Sequence, residues 1–399
     1  MTRSQSAAPL VSEAPQQLYR RNRATWVAFA ALFGFGVLNA ILGPILPYLR
    51  QTEHISYVSG ALHQVAFAVG GMTAGLLATR SSAPRGRTIG IGLSGAAAAG
   101  VLLGYGGVLP VTIVAALLVS AFATAALIRM WALLADLHPV NRAVAMTEGE
   151  VSVSLAGVLM PAMVGVCAAT LVGWRFSVVI AFVLVGAAAV AVVATQLPDA
   201  ERVRTPDRHA SAEPGHDRSD DAVRSHTQRR TLTTIFAVVS LEFTLSFWAA
   251  SFLHDNVGIA RDTSVALVSA LYAANLVGRL VASRLARRLP AVVLLRLSLA
   301  TAVVGLPVLL SAGNIVVAGV GLAVTGIGIG GTFPLASSLH VAASDRTADQ
   351  ALGQILTVAG VGQIVGPLTA GVLAQGAGLR VGLFVLPALV LVAVAMSRR

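Results

Sequence analysis

The chain has 399 residues, of which 56% are hydrophobic and 11% charged, with a mean hydropathy of +0.80. A soluble protein of this size carries about a quarter of its residues as charges, so this composition excludes a soluble globular fold and a disordered chain, and describes an integral membrane protein. The formal net charge is +11, but every cationic residue other than His is Arg and these fall in the gaps between apolar segments, which argues against a nucleic-acid partner.

Residues 1–23 are polar and end in Arg20, Arg21 and Arg23, forming an N-terminal tail. The apolar run that follows is too long for a signal-peptide core, so the first helix is expected to stay uncleaved with its start in the cytoplasm. A membrane helix needs about 20 mostly apolar residues. By that rule residues 24–197 hold six segments, at 24–49, 57–79, 88–107, 110–135, 143–171 and 174–197. A hydrophilic stretch at 198–231, rich in Pro, Asp, His and Arg and without apolar periodicity, reads as a flexible cytoplasmic linker. Six more segments follow within 232–396, at 232–253, 263–285, 291–312, 314–339, 350–374 and 379–396, before a short C-terminus at 397–399. Transmembrane β-strands are excluded because they alternate polar and apolar residues.

Cytoplasmic loops carry the excess of positive charge. Arg80, Arg85 and Arg87, then Arg142, the linker, Arg284, Arg287 and Arg288, Arg346, and finally Arg398 and Arg399 occupy alternate gaps. Both termini are therefore expected in the cytoplasm. The intervening gaps hold only Arg50, Arg175, Arg261 and Arg380.

The halves resemble each other. Gly75-Leu-Leu-Ala-Thr-Arg80 closes the second segment and Gly278-Arg-Leu-Val-Ala-Ser-Arg284 closes the eighth. Pro161 and Gly165 of the fifth segment answer Pro367 and Gly371 of the eleventh, at the same offset of slightly more than two hundred residues. A duplicated six-helix unit accounts for both correspondences.

Twelve segments in two alike halves, with Gly75, Arg80, Gly86 and Arg87 in the loop after the second, Trp174-Arg175 opening the sixth, and Gly362, Gly366, Pro367 and Gly371 in the eleventh, resemble the major facilitator superfamily. The resemblance implies an all-α membrane protein of two pseudo-symmetric six-helix bundles around a central cavity lined by helices 1, 4, 7 and 10. It further implies alternating access of a midplane substrate site and a gating role for Gly75, Arg80, Arg87, Gly278, Arg284, Pro161, Gly366 and Pro367. The sequence departs from the family at Thr79, where an acidic residue normally stands, and at Met160, where the antiporter pattern has glycine.

An ionisable residue within a span costs about 2.5 to 3.5 kcal/mol on insertion scales, so each one needs a reason. Glu242 lies near the centre of the seventh segment, where a carboxylate is favoured only if paired or wet and otherwise takes up a proton. It is the first candidate for proton coupling, and Asn39 stands at the equivalent position in the first segment. Arg129 in the fourth segment and Glu148 and Glu150 in the fifth lie at comparable depth; two residues apart on a helix point about 200° from each other, so one glutamate is expected to face Arg129. A structural ion pair and a coupling role both fit. Phe243, Phe247, Trp248, Tyr272, Asn275, Thr332 and Phe333 are candidates to line a substrate pocket, Trp248 foremost, although aromatic residues at helical spacing also serve simple packing. The glycines of the tenth and eleventh segments suit either close packing or a gating hinge.

With no Lys, no Walker-type nucleotide loop exists, and the single Cys167 excludes an intrachain disulfide and multi-cysteine metal sites. No nucleophile or acid pair is placed for catalysis, so no enzyme activity, cofactor or metal is expected. The functional expectation is a monomeric secondary active transporter in a bacterial cytoplasmic membrane, in contact with lipid, protons and a small organic solute. Uptake of a polar solute, sugar-like or an organic acid, is favoured over proton-driven efflux of drugs or lipophilic metabolites. Symport, antiport and uniport stay open, as does a non-transporting receptor or scaffold, which the loss of the acid at Thr79 suggests.

Overall fold

The structure is a computed structural model and describes residues 20–78, 83–139, 141–198, 218–286, 288–344 and 348–397. Its described residues hold twelve helices long and apolar enough to cross a membrane: Arg23–Thr52, Tyr57–Leu77, Arg85–Tyr105, Leu109–Leu137, Val144–Ala168, Arg175–Thr195, Ser225–Asp255, Arg261–Leu285, Ala291–Leu310, Ile315–Ala343, Gly353–Ala377 and Leu379–Ser397. Each overlaps one expected segment. Large apolar side chains such as Leu76, Val166, Val190, Val304, Val316 and Leu391 face outward, as a lipid-facing surface requires.

One boundary differs. The helix of the seventh span begins at Arg218, so the last two fifths of the stretch expected as a flexible linker are helical, while 199–217 lie outside the described residues. The reason is tertiary: Gln228 donates to Ala343 O, Arg230 to Met396 O and Thr231 bonds His340, so the polar turn before the membrane is held by the ends of the tenth and twelfth spans.

Three spans are broken, and each break falls three or four residues before a proline. The first span separates into Arg23–Ala40 and Leu42–Thr52, upstream of Pro44. The tenth separates into Ile315–Gly330 and Thr332–Ala343, upstream of Pro334, and the twelfth into Leu379–Gly382 and Val385–Ser397, upstream of Pro387. Proline has no N–H for the carbonyl four residues back and its ring crowds that carbonyl. The helix therefore opens where the bond is missing.

The packing pattern repeats between halves. In the first half the third and fourth, second and fourth, first and fifth, and first and sixth spans pack together; in the second the ninth and tenth, eighth and tenth, seventh and eleventh, and seventh and twelfth do so. The halves meet where the fifth span packs on the eighth, the second on the eleventh, and the C-terminal part of the first on the seventh. One apolar core, including Leu46, Leu49, Val164, Leu253, Val265 and Leu379, runs across that junction on the face away from the chain termini, the distal face. A separate core, including Ile235, Leu299, Ala336 and Ile355, belongs to the second half and sits toward the termini.

Candidate functional site

A ladder of polar side chains lines the seam between the fifth, seventh and eighth spans. On the eighth span Tyr272, Asn275 and Arg279 are spaced by three and four residues, which puts all three on one helix face over about 10 Å. Asn275 Nδ2 donates to Glu242 Oε1 at 2.9 Å. Arg279 Nη1 donates to Glu150 Oε2 at 3.1 Å and its Nε to Gly330 O at 3.3 Å. Tyr272 bonds Ser246, one turn from Glu242 on the seventh span, and its ring lies against Gly157 of the fifth.

Glu150 and Glu242 lie within electrostatic reach of each other. The Glu150 side chain is 44% exposed and that of Arg279 31%, so the pair is only partly covered by the helices around it. Asn39 is also exposed and shares a helix face with Gly36, which abuts the fifth span at Val153, and Gly43, which abuts the seventh at Ser246. Asn39, Glu242, Glu150 and Arg279 thus stand on spans that meet between the two halves.

Glu148 and Glu150 diverge as their spacing requires. Glu148 is bridged by Arg21, with Nε at 2.9 Å, beside the start of the first span, whereas Glu150 crosses to the other half. The arginine that meets Glu150 is Arg279 of the eighth span, a partner that the expectation built on Arg129 did not include. Arg279 was legible in principle, as an arginine well inside the eighth apolar segment, but it follows Gly278 in a motif that reads as a helix-end signature.

Several expected pocket residues prove structural. Trp248 is fully buried, donates Nε1 to Pro367 O at 3.0 Å and packs edge-on against Phe247 at 4.9 Å. Phe247 is itself 2% exposed and lies beside the backbone of Gly43, so neither aromatic is exposed. Thr332 is buried and spends its hydroxyl on Ile329 O at 2.7 Å, closing the turn at the break of the tenth span. Phe333 packs on the core of the second half. Burial decides Trp248, Phe247 and Thr332 and packing decides Phe333, and span position alone does not reveal which way a side chain turns.

Of the expected gating residues, Arg80 lies outside the described residues, Arg87 and Arg284 are exposed, and Gly75 has open space around it. At the start of the third span it is Arg85 that is buried, with Nη2 at 2.5 Å from Asp136 of the fourth span. Gly278 abuts Ile327 of the tenth span, Gly366 abuts Ser240 and Thr244 of the seventh, and Pro161 lies buried within the fifth. The glycines Gly326 and Gly328 admit the backbones of the eighth and ninth spans, where a Cβ would come within 2.7 Å of Leu271 O and 2.5 Å of Ala302 N. Close packing, one of the two roles expected for these glycines, is what the geometry contains.

The distal face is closed by contacts between halves. Arg50 Nη1 lies 3.0 Å from Asp255 Oδ2, Tyr57 donates its hydroxyl to the same oxygen at 2.8 Å, and the Arg50 guanidinium sits 3.7 Å above the Tyr57 ring. Gln375 accepts from Tyr57 N at 3.1 Å, and Arg261 donates to Gln51. Arg175 donates to Gly104 O and Arg380 to Asn256 O and Ala312 O. The four arginines that depart from the charge pattern of the loops are therefore each engaged locally.

A family model described as Major Facilitator Superfamily matches residues 25–367. No curated protein sequence matches the chain. Among solved structures, a bacterial homolog of the human lysosomal transporter Spinster, inward-facing and unoccupied, superimposes with a TM-score of 0.74 at 14% identity over 95% of this chain and 97% of that one. A peptide transporter POT in complex with sulfate gives 0.73 at 13% identity over 95% of each chain, and a D-xylose-proton symporter 0.73 at 12% over 94% and 97%. With a match over most of its length and the twelve-helix architecture above, this chain belongs to the Major Facilitator Superfamily.

Proposed function

We propose that this protein is a proton-coupled secondary transporter of a small polar organic solute, with Glu242 carrying the proton and Arg279 contacting solute. Family membership makes it a membrane transporter and not an enzyme. The observation that carries the finer reading is the charge count of the ladder. Glu150 has Arg279 as its counter-ion, whereas the described hydrogen bond to Glu242 comes from an uncharged amide. A carboxylate in a span without a cation is costly, and protonation removes the cost. The uncharged partner of Glu242 supports it as the group that carries the proton.

Arg279 supports the organic-acid arm over the lipophilic one, because a guanidinium fork matches a carboxylate and a purely apolar solute gains nothing from a charged group. The arginine pattern of the loops supports cytoplasmic termini, and hence a cavity open to the cytoplasm with the outer side closed by Arg50, Tyr57 and Asp255. We place the transporter in a bacterial cytoplasmic membrane, acting as a monomer among lipids.

The test is accumulation into proteoliposomes under an imposed pH gradient, screened across sugars and organic acids. Uptake of an organic acid that collapses with a protonophore supports the reading. Gradient-independent equilibration of every transported solute would make the protein a uniporter and remove Glu242 from coupling.

A further inference from the structure

At the distal end of the first half, away from the central cavity, we propose a second proton-binding site, formed by Glu53, Thr112 and His63, whose bound proton stabilises the closed distal face. His63 is fully buried, with Nδ1 3.2 Å from Gly60 O and Nε2 3.0 Å from Thr112 Oγ1. Thr112 Oγ1 in turn lies 3.1 Å from Glu53 Oε2. The three groups come from the second span, the fourth span and the turn after the first.

Hydrogen counting assigns the proton. A carbonyl oxygen only accepts, so His63 Nδ1 carries a hydrogen, and threonine has a single hydroxyl hydrogen to give. With Glu53 ionised and His63 neutral, Oε2 and Nε2 both need that hydrogen, and one contact sets lone pair against lone pair. One added proton satisfies both. Placed on Glu53, it is donated to Thr112 while the hydroxyl donates to His63; placed on His63, Nε2 donates to Thr112 while the hydroxyl donates to Glu53. If the hydroxyl turns instead to Leu109 O at 3.2 Å or Val108 O at 3.4 Å, both outer groups must donate and two added protons are needed. With the Nδ1 hydrogen kept on Gly60 O, every arrangement that satisfies both contacts is protonated.

An independent feature favours Glu53 as the holder. Its second oxygen, Oε1, is buried without a hydrogen-bond partner. An ionised carboxylate suffers most from such an orphan oxygen, and a neutral acid least. Burial likewise holds Glu53 above the usual carboxylate range, against the opposing effect of the Thr112 hydrogen bond.

Few other charged groups face the site. Arg50 of the first span is turned to Asp255 and Tyr57, the adjacent His54 is exposed, and Thr112 is the polar contact from the fourth span. From the seventh and eighth spans Asp255 reaches this end through Arg50 and Tyr57, Arg261 through Gln51 and the Tyr48 ring, and Asp262 through its field on Tyr48, while the eleventh contributes the uncharged Gln375. The turn that carries Glu53 is strained, with His54 at a φ of 52°, and Ile55 N returns to Arg50 O at 3.2 Å. Loss of the proton sets Glu53 and His63 in competition for Thr112, frees the strained turn, and so loosens Arg50 three residues away.

The experiment uses the purified full chain and needs no solute. The infrared carbonyl band of a protonated carboxylic acid is titrated in wild type, Glu53→Gln and Thr112→Val, alongside thermal unfolding across the same pH range. The expected result is a band absent from Glu53→Gln that titrates above the ordinary glutamate value of 4.5 in wild type and shifts further up in Thr112→Val, where the hydrogen bond that opposes burial is lost. The titration belongs to the linked groups together.

The stability sign follows from a proton held more tightly by the folded chain. The contribution is full below the unfolded value and is lost as pH rises through the folded one. Glutamine keeps an N–H donor for Thr112 and does not titrate, so Glu53→Gln gains on wild type as pH rises. A wild-type band indistinguishable from Glu53→Gln above the ordinary value overturns the proposal. So does a Thr112→Val titration identical to wild type, which stays readable if the glutamine variant does not fold.

Discussion

Arg279 of the eighth span and Glu150 of the fifth meet at 3.1 Å across the seam between the two halves of the chain. The pair joins helices that must separate or slide if the halves rock about a midplane site. Because both side chains are partly exposed, solvent screening limits the pair to a small stabilisation, up to about 1 kcal/mol. Its importance is positional: it holds the cation that would meet an anionic solute.

Arg279→Ala and Glu150→Ala are each expected to lower transport, and the double variant to lose less than the two single losses combined. Arg129→Ala paired with Glu150→Ala is expected to be additive. Initial rates in proteoliposomes for the four members of each cycle measure the coupling. Additivity in the Arg279 cycle would remove the functional pair.

Glu242→Gln is expected to abolish proton-driven accumulation while leaving the fold intact, since a glutamine oxygen still accepts from Asn275 Nδ2. Counterflow exchange of labelled solute, which needs no net proton movement, should persist. Full pH-driven uptake by this variant would show that another group carries the proton.

Asp255→Asn removes the charge that both Arg50 and Tyr57 engage. The distal face should open more often, seen as a longer and broader distance distribution between spin labels placed on the two halves at that face. The effect on unfolding stability should stay below about 1 kcal/mol, as for other partly exposed ion pairs. An unchanged distribution would mean that the apolar core beneath holds the face closed by itself.

Gly165→Val tests the crossing of the fifth and eighth spans, where the first added carbon alone would come within 2.6 Å of Asp262 O. Overpacking of this kind costs about 1–3 kcal/mol. The thermal midpoint in detergent should fall clearly, and a wild-type midpoint would show that the two helices can part at no cost.

Trp248→Phe separates packing from solute contact. Losing the Nε1–H bond to Pro367 O should cost about 1 kcal/mol in stability, as for an ordinary buried hydrogen bond. KM for the solute should not move, because the ring is enclosed by Phe247, Tyr57 and the eleventh span.

Span number, the repeat and the position of each helix were written in composition, because twenty consecutive apolar residues have few other stable outcomes in a bilayer. The intramembrane acids Glu150 and Glu242 were legible for the same reason: a charge in an apolar run stands out by type alone. The proline-linked breaks were readable as well, though only Pro44, Pro334 and Pro387 open a helix, while Pro161, Pro307 and Pro367 remain inside one.

Partner choice was another matter. Whether Glu150 meets Arg129 or Arg279 depends on which helices touch, and the fifth packs on the eighth from the opposite half. Trp248 and Thr332 have the chemistry of pocket residues and the burial of core residues, a distinction set by helix rotation. The Glu53–Thr112–His63 site joins three segments that carry no shared motif. A sequence of nearly uniform hydrophobicity dictates that its helices cross the membrane, but rotation and contact are decided by close packing of small residues and by the few polar groups that must find one another.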